Sequence, residues 1–147
     1  MKNENLIKEM NVYLANLNLL YVKLHNYHWN IEGRGFFQLH ATYEELYNHV
    51  TETLDEVAER ILIMGERPAA SMKEYLALTT LKERESSPIA VEASVREVKE
   101  DFEVMYQDTL KLITLSEEAG DPITADMFTG YASEFHKNLW MMRAYLA

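Results

Sequence analysis

Two histidines and three acids stand out between His28 and Arg60 in the stretch HWNIEGRGFFQLHATYEELYNHVTETLDEVAER. The residues are His28, His40, Glu44, Asp55 and Glu59. Imidazoles mixed with carboxylates suit Fe(II), Mn(II) or Zn(II), and ligand type alone does not choose among them. The chain has no cysteine, so thiolate metal sites, thiol redox motifs and disulfides are all excluded. Among the three metals only iron and manganese would add redox chemistry to binding.

Helical geometry decides how these residues can meet. With His40 at zero and about 100° per residue, Glu44 falls near 40°, Asp55 near 60° and Glu59 near 100°, all on one side of a helix. Along the axis, however, His40 and Asp55 are about 22 Å apart at ~1.5 Å per residue. Bonds from imidazole nitrogen or carboxylate oxygen to such metals are only about 2.0–2.2 Å. One copy of the helix cannot wrap all four residues around one ion. A two-fold axis near Asn48 and His49 removes the difficulty, because His40 of one copy then lies level with Asp55 to Glu59 of the other. Such an isologous contact repeats itself and gives two sites per dimer. His28 can join across a short turn. The expected ligand set is His28, His40 and Glu44 from one subunit with Asp55 and Glu59 from its partner, Glu44 being equally well explained as part of a solvated helix face.

The elements that must carry these residues follow from apolar spacing. Leu6, Met10, Tyr13, Leu14, Leu17, Leu20, Leu24 and Tyr27 predict a first helix over about 5–30. Gly33 and Gly35 break it. Leu39, Tyr43, Leu46, Val50, Leu54, Val57, Ile61 and Met64 predict a second, stopped by Gly65 and Pro68. Ser71 with Glu74 reads as a capping box for a short helix to Leu78. After the polar run KERESSP, Ser87 before Pro88 reads as the cap of a third long helix that ends at Gly120. Asp121 and Pro122 repeat that start for a fourth, running to about Tyr145. No strand-like alternation of useful length and no internal repeat is visible. Short links predict two antiparallel hairpins, and the long link lets the third long helix run parallel to the second. The expectation is an all-α, ferritin-like four-helix bundle with a short extra helix in its long crossover, built as a single domain of residues 1–147.

Composition narrows the function classes. The net charge of −10 repels phosphate backbones and attracts cations to any cleft where carboxylates converge. No apolar run approaches the ~20 residues that span a bilayer. The opening MKNENLIKEM lacks the basic-then-apolar order of a signal peptide, which makes the cytoplasm the expected address.

A resemblance rests on the same residues. The pattern His28-Trp29-Asn30, then His40, then Leu54-Asp55-Glu56-Val57-Ala58-Glu59-Arg60 is similar to that of the Dps family of miniferritins. The ending, with Gly120-Asp121, Thr124-Ala125-Asp126-Met127 and Trp140-Met141-Met142-Arg143-Ala144, is similar too. The resemblance covers almost the whole chain. It implies a hollow dodecamer that oxidises Fe(II), preferably with hydrogen peroxide, and stores ferric mineral, with His28, His40, Asp55 and Glu59 as ferroxidase ligands. Zinc or manganese are other occupants of such a site. Larger ferritins place Glu-x-x-His pairs inside each bundle. No histidine here has a glutamate three residues before it.

Other residues carry secondary expectations. His25, one turn before His28, reads as a group that backs a ligand or as a surface residue, His49 points away from His40, and His136 shows no partner pattern. Trp29, Tyr27, Tyr43 and Tyr47 either absorb stray oxidising equivalents or simply pack, and the remaining Tyr and Met stripes read as core. The resemblance also suggests an iron-entry pore with Glu117, Asp121 and Asp126 as candidates, Asp121 being sufficiently explained as a cap. Two rival functions are a DNA-coating nucleoid protein and a surface antigen or scaffold. DNA-binding relatives often use lysine-rich tails, whereas one lysine precedes Leu6 and two residues follow Tyr145, so no tight DNA binding is expected.

Overall fold

The computed structural model describes residues 2–147; Met1, counted in the expected domain, lies outside them. Helix α1 (Lys2–Asn30) is uninterrupted by glycine or proline, and its Leu6, Met10, Tyr13, Leu14, Leu17, Leu20, Leu24 and Tyr27 are all buried. A five-residue link leads into α2 (Phe36–Ile63), and Gly33 and Gly35 take the positive φ values, 104° and 84°, that let the chain reverse there. Phe36 and Leu39 donate backbone N–H bonds to the carbonyls of Gly33 and Gly35, which starts α2 without a side-chain cap.

Helix α2 ends in a Schellman motif. Gly65 takes φ 92°, Gly65 N–H donates to the Leu62 carbonyl and Glu66 N–H to that of Ile61. The expected short helix is α3 (Met72–Leu78), with Ser71 accepting from the Glu74 N–H at 3.3 Å and Glu74 accepting from the Ser71 hydroxyl at 2.7 Å. Helices α4 (Val91–Glu118) and α5 (Pro122–Leu146) meet through a second Schellman turn at Gly120, after which Asp121 caps α5 by accepting the Thr124 N–H at 3.0 Å.

One boundary differs from expectation. Ser87 and Pro88 do not start α4; the helix begins at Val91 behind an Ala90 cap that makes no side-chain bond. Ile89–Ala90 form a strand, β2, that pairs in parallel with β1 (Ile31–Glu32), Ile31 opposite Ile89. Tertiary pairing draws these residues into extended conformation, while the Ser87 carbonyl and hydroxyl are taken up by Arg84 at 2.8 and 3.4 Å. Two-residue strands produce no alternation to read, so this pair is invisible in the sequence pattern.

Cross-contacts set the helix directions. His28 meets His40 and Tyr21 meets Tyr47, so α1 and α2 are antiparallel. Lys23 with Asp101 and Tyr13 with Thr109 make α1 and α4 antiparallel. Arg60 with Thr124 and Glu56 with Tyr131 do the same for α2 and α5. Helix α4 therefore runs parallel to α2, as one long crossover requires. Among the four long helices one apolar cluster is continuous, with Phe102 edge-on to Phe135 at 5.1 Å and Tyr13 edge-on to Phe128 at 5.3 Å. The Tyr and Met stripes divide: Met10, Met105, Tyr131 and Met142 are core, whereas Tyr21, Met141 and Tyr145 are exposed.

The crossover is held by asparagines of α1. Asn11 accepts the Ala69 N–H at 2.8 Å, Asn16 bonds Thr79 and Thr80, and Asn26 donates to the carbonyls of Arg84 and Glu85. Each gives the irregular segment the backbone partners it would otherwise lack. No described helix is long and apolar enough to cross a membrane.

Candidate metal centre

The two histidines are brought together as a reciprocal pair. His28 Nδ1 lies 2.7 Å from the backbone oxygen of His40, and His40 Nδ1 lies 2.7 Å from that of His28. A carbonyl can only accept, so each Nδ1 carries a proton, and in the neutral ring the lone pair a metal would take is on Nε2. The rings stack at 3.7 Å with 10° between their planes. His28 is buried, near the end of α1, and His40 is half-buried in the second turn of α2. This is the orientation by a carbonyl that metal-ligating imidazoles need.

Glu44, one turn after His40, places Oε1 3.9 Å from His28 Nε2. Two ligands with bonds of about 2.1 Å to one ion are at most about 4.2 Å apart, so this gap is within the span of a single metal. Asp55 and Glu59 are exposed and lie further along α2. Among the described residues no group of three or more His, Asp or Glu side chains closes around an ion. The chain by itself thus pairs two imidazoles and brings Glu44 within 3.9 Å of one of them without closing a three-ligand set, and leaves Asp55 and Glu59 exposed elsewhere on the same helix.

The aromatic surroundings were only partly predicted. Phe36 stacks on His40 at 5.1 Å, and Tyr47 stands edge-on to His28 at 5.3 Å. His25 stacks on Tyr47 at 3.7 Å and reaches Trp29 at 5.2 Å, which makes it a second layer behind His28. Burial, then the Glu44 carboxylate, push the Tyr47 phenol above its ordinary range. Phe36 carried no signal beyond its place in the apolar pattern. Trp29 and Phe37 project outward with 70 % and 83 % of their surface open, so this end of the molecule presents aromatic rings to whatever faces it.

The remaining histidines lie apart. His49 pairs with Glu134 of α5 and has Glu52 at 3.9 Å. His136 stacks on Tyr106 at 4.7 Å, a partner across α4 and α5 that sequence spacing did not suggest.

Of the three pore candidates, Asp121 is committed to structure. Besides capping Thr124 it accepts from Arg60 at 3.4 Å. Partial burial pushes its carboxyl up, but the Thr124 hydroxyl and amide and the Arg60 guanidinium outweigh this and hold it below the usual range. Glu117 and Asp126 are exposed.

Comparison with known proteins extends these features to a family. The ferritin-like domain of the ferritin family matches residues 7–147. DNA protection during starvation protein 2 of Bacillus anthracis is 38% identical over 144 residues, 98% of each chain. The crystal structure of Dps from Staphylococcus aureus superposes with a TM-score of 0.94 at 37% identity, covering 98% of this chain and 96% of that one. The DPS protein of Vibrio cholerae O1, described as a member of a broad superfamily of ferritin-like diiron-carboxylate proteins, superposes with a TM-score of 0.94 at 34% identity over 99% and 91%. With sequence and fold matching over nearly their full length, the chain belongs to the Dps family of ferritin-like proteins.

Proposed function

We propose that this protein is a ferroxidase and iron store whose oxidation sites are shared between two copies of the chain. The observation that carries the reading is the reciprocal His28–His40 pair with Glu44 in reach, a half-built site whose Nε2 lone pairs are free. Asp55 and Glu59, exposed on the same helix, supply the other half from a two-fold partner. Family membership supports iron as the ion, and zinc or manganese can occupy the same donors. In the expected dodecamer six such dimers enclose a store for the ferric product, in the cytoplasm.

Fe(II) is the substrate. The imidazoles and carboxylates bind and orient two ferrous ions, and hydrogen peroxide takes one electron from each. With two protons it leaves as two waters, so no hydroxyl radical is released. Anaerobic addition of Fe(II) followed by peroxide should give ferric absorbance at two irons per peroxide, with little signal from a hydroxyl-radical trap. Oxidation no faster than that of free Fe(II), with full radical yield, would overturn the reading.

Entry of iron is proposed through the start of α5. Asp126→Asn should slow iron uptake while leaving oxidation of pre-bound iron intact, and unchanged uptake would remove Asp126 from the path. Asp121→Ala should act on folding instead, losing about 1 kcal/mol with its cap. Because the Asp121 carboxyl is held low in the folded state, its contribution is present at neutral pH and fades as pH falls through that lowered value.

The names of relatives favour a second reading, protection of DNA. With −10 per subunit the protection proposed is chemical, through removal of iron and peroxide, rather than by coating. A gel shift at low salt with metal-free protein should show no retention, and retention would refute this.

A further inference from the structure

Among the contacts that tie the proposed metal-binding end of α1 to the crossover, one arginine side chain makes the most. Arg84 Nη1 donates to Asn26 Oδ1 at 2.7 Å, to the Glu85 carbonyl at 3.0 Å and to the Ser87 carbonyl at 2.8 Å. Its Nε lies 3.6 Å from Glu97 of α4, and its guanidinium sits over the Tyr27 ring at 5.5 Å from the centroid. Tyr27 in turn donates its hydroxyl to Glu97 at 2.9 Å. Only 11% of the Arg84 side chain is exposed, so these contacts are made by a largely desolvated cation, where charge-assisted bonds are strongest. Five residues on, Ile89 pairs with Ile31. Segment 84–90 therefore grips the chain just before His28, at Asn26 and Tyr27 of α1, and just after it, at Ile31 of β1.

We propose that Arg84 is a positioning residue for the His28–His40 pair, an inference that rests on the metal-site reading above. The last turn of a helix has carbonyls without helical partners and frays unless it is held. The His28 carbonyl belongs to that turn, and it is the group that orients His40. Because the bond is reciprocal, movement of this turn displaces the His28 ring from the His40 carbonyl and releases the His40 ring as well. Arg84 holds the turn from the crossover, through Asn26, Tyr27 and Glu97. Lysine cannot replace it, since one ammonium cannot serve at once the acceptors on Nη1, the Ser87 hydroxyl on Nη2 at 3.4 Å and Glu97 beside Nε at 3.6 Å.

The test uses the assembled full chain, with Co(II) absorbance for affinity and nitrogen-15 NMR for exchange of the imidazole Nδ1 protons. Arg84→Met should weaken Co(II) binding about tenfold, the low end for loss of an outer-shell partner. It should also speed Nδ1–H exchange of both His28 and His40. Arg84→Lys should recover only part of either change. Tyr27→Phe, which removes one hydroxyl and keeps the ring, should move both readouts in the same direction and serves if Arg84→Met does not fold. A merely structural role would lower Tm while leaving the imidazole protons where they were, and that result would overturn the proposal. Wild-type Co(II) affinity in Arg84→Met beside loss of binding in His40→Ala would refute the role of Arg84 and leave the metal site standing. Wild-type affinity in both would overturn the metal site, and this inference with it.

Discussion

Replacing His40 with alanine is expected to abolish peroxide-dependent iron oxidation, with a fall of at least about a hundredfold, beyond the 10–100-fold typical of outer-shell losses. Two effects compound. The variant loses one of the two proposed imidazole ligands, and the His28 carbonyl loses the donor that His40 Nδ1 supplies at 2.7 Å. The stacking partner of His28 at 3.7 Å goes as well, so His28 is free to leave the orientation in which its Nε2 faces Glu44. The measurement is ferric absorbance after peroxide addition to anaerobically loaded protein. His136→Ala is the control, because His136 packs on Tyr106 away from the proposed site and should oxidise iron at the wild-type rate. Far-UV dichroism should show an unchanged fold in His40→Ala, since His40 is half-buried and outside the apolar cluster. Equal rates in wild type and His40→Ala would mean that oxidation occurs elsewhere.

Much of this arrangement could be read from the sequence, for reasons that can be named. The long helices are amphipathic and punctuated by Gly33, Gly35, Gly65 and Gly120, each of which takes positive φ, so composition and geometry agree. Ser71 and Asp121 cap through short-range bonds that spacing encodes directly. The Ser87–Pro88 start failed because the same local signal was overridden by the pairing of Ile89 with Ile31, about sixty residues away in the chain, and by the hold of nearby Arg84 on Ser87. His28 and His40 were paired by spacing across a short link, but the reciprocal carbonyl bonds depend on the exact turn and carry no residue-type signal. His136 with Tyr106, and the asparagine clamps on the crossover, are likewise tertiary contacts between residues whose types permit many other partners.

The proposed division of the site between two chains predicts a result that no single-chain site can give. His40→Ala and Asp55→Ala should each be inactive as pure assemblies, since every site then lacks a ligand. Unfolding the two together and reassembling them in equal amounts forms heterodimers at random. In a two-fold dimer each site takes His40 from one chain and Asp55 from the other. A heterodimer therefore concentrates both lesions in one site and leaves its second site wild type. About half of the dimers are mixed and half of their sites are whole, so the mixture should recover about one quarter of wild-type activity. Co-reassembly of His40→Ala with Glu59→Ala should behave in the same way. His28→Ala with His40→Ala should recover nothing, because both lesions then fall on the same half of the site. If Asp55 and Glu59 instead served a His40 on their own chain, no mixture would exceed its parents. Geometry argues against that, because the ~22 Å between them along α2 is about five times the ~4.2 Å that two ligands of one ion can span.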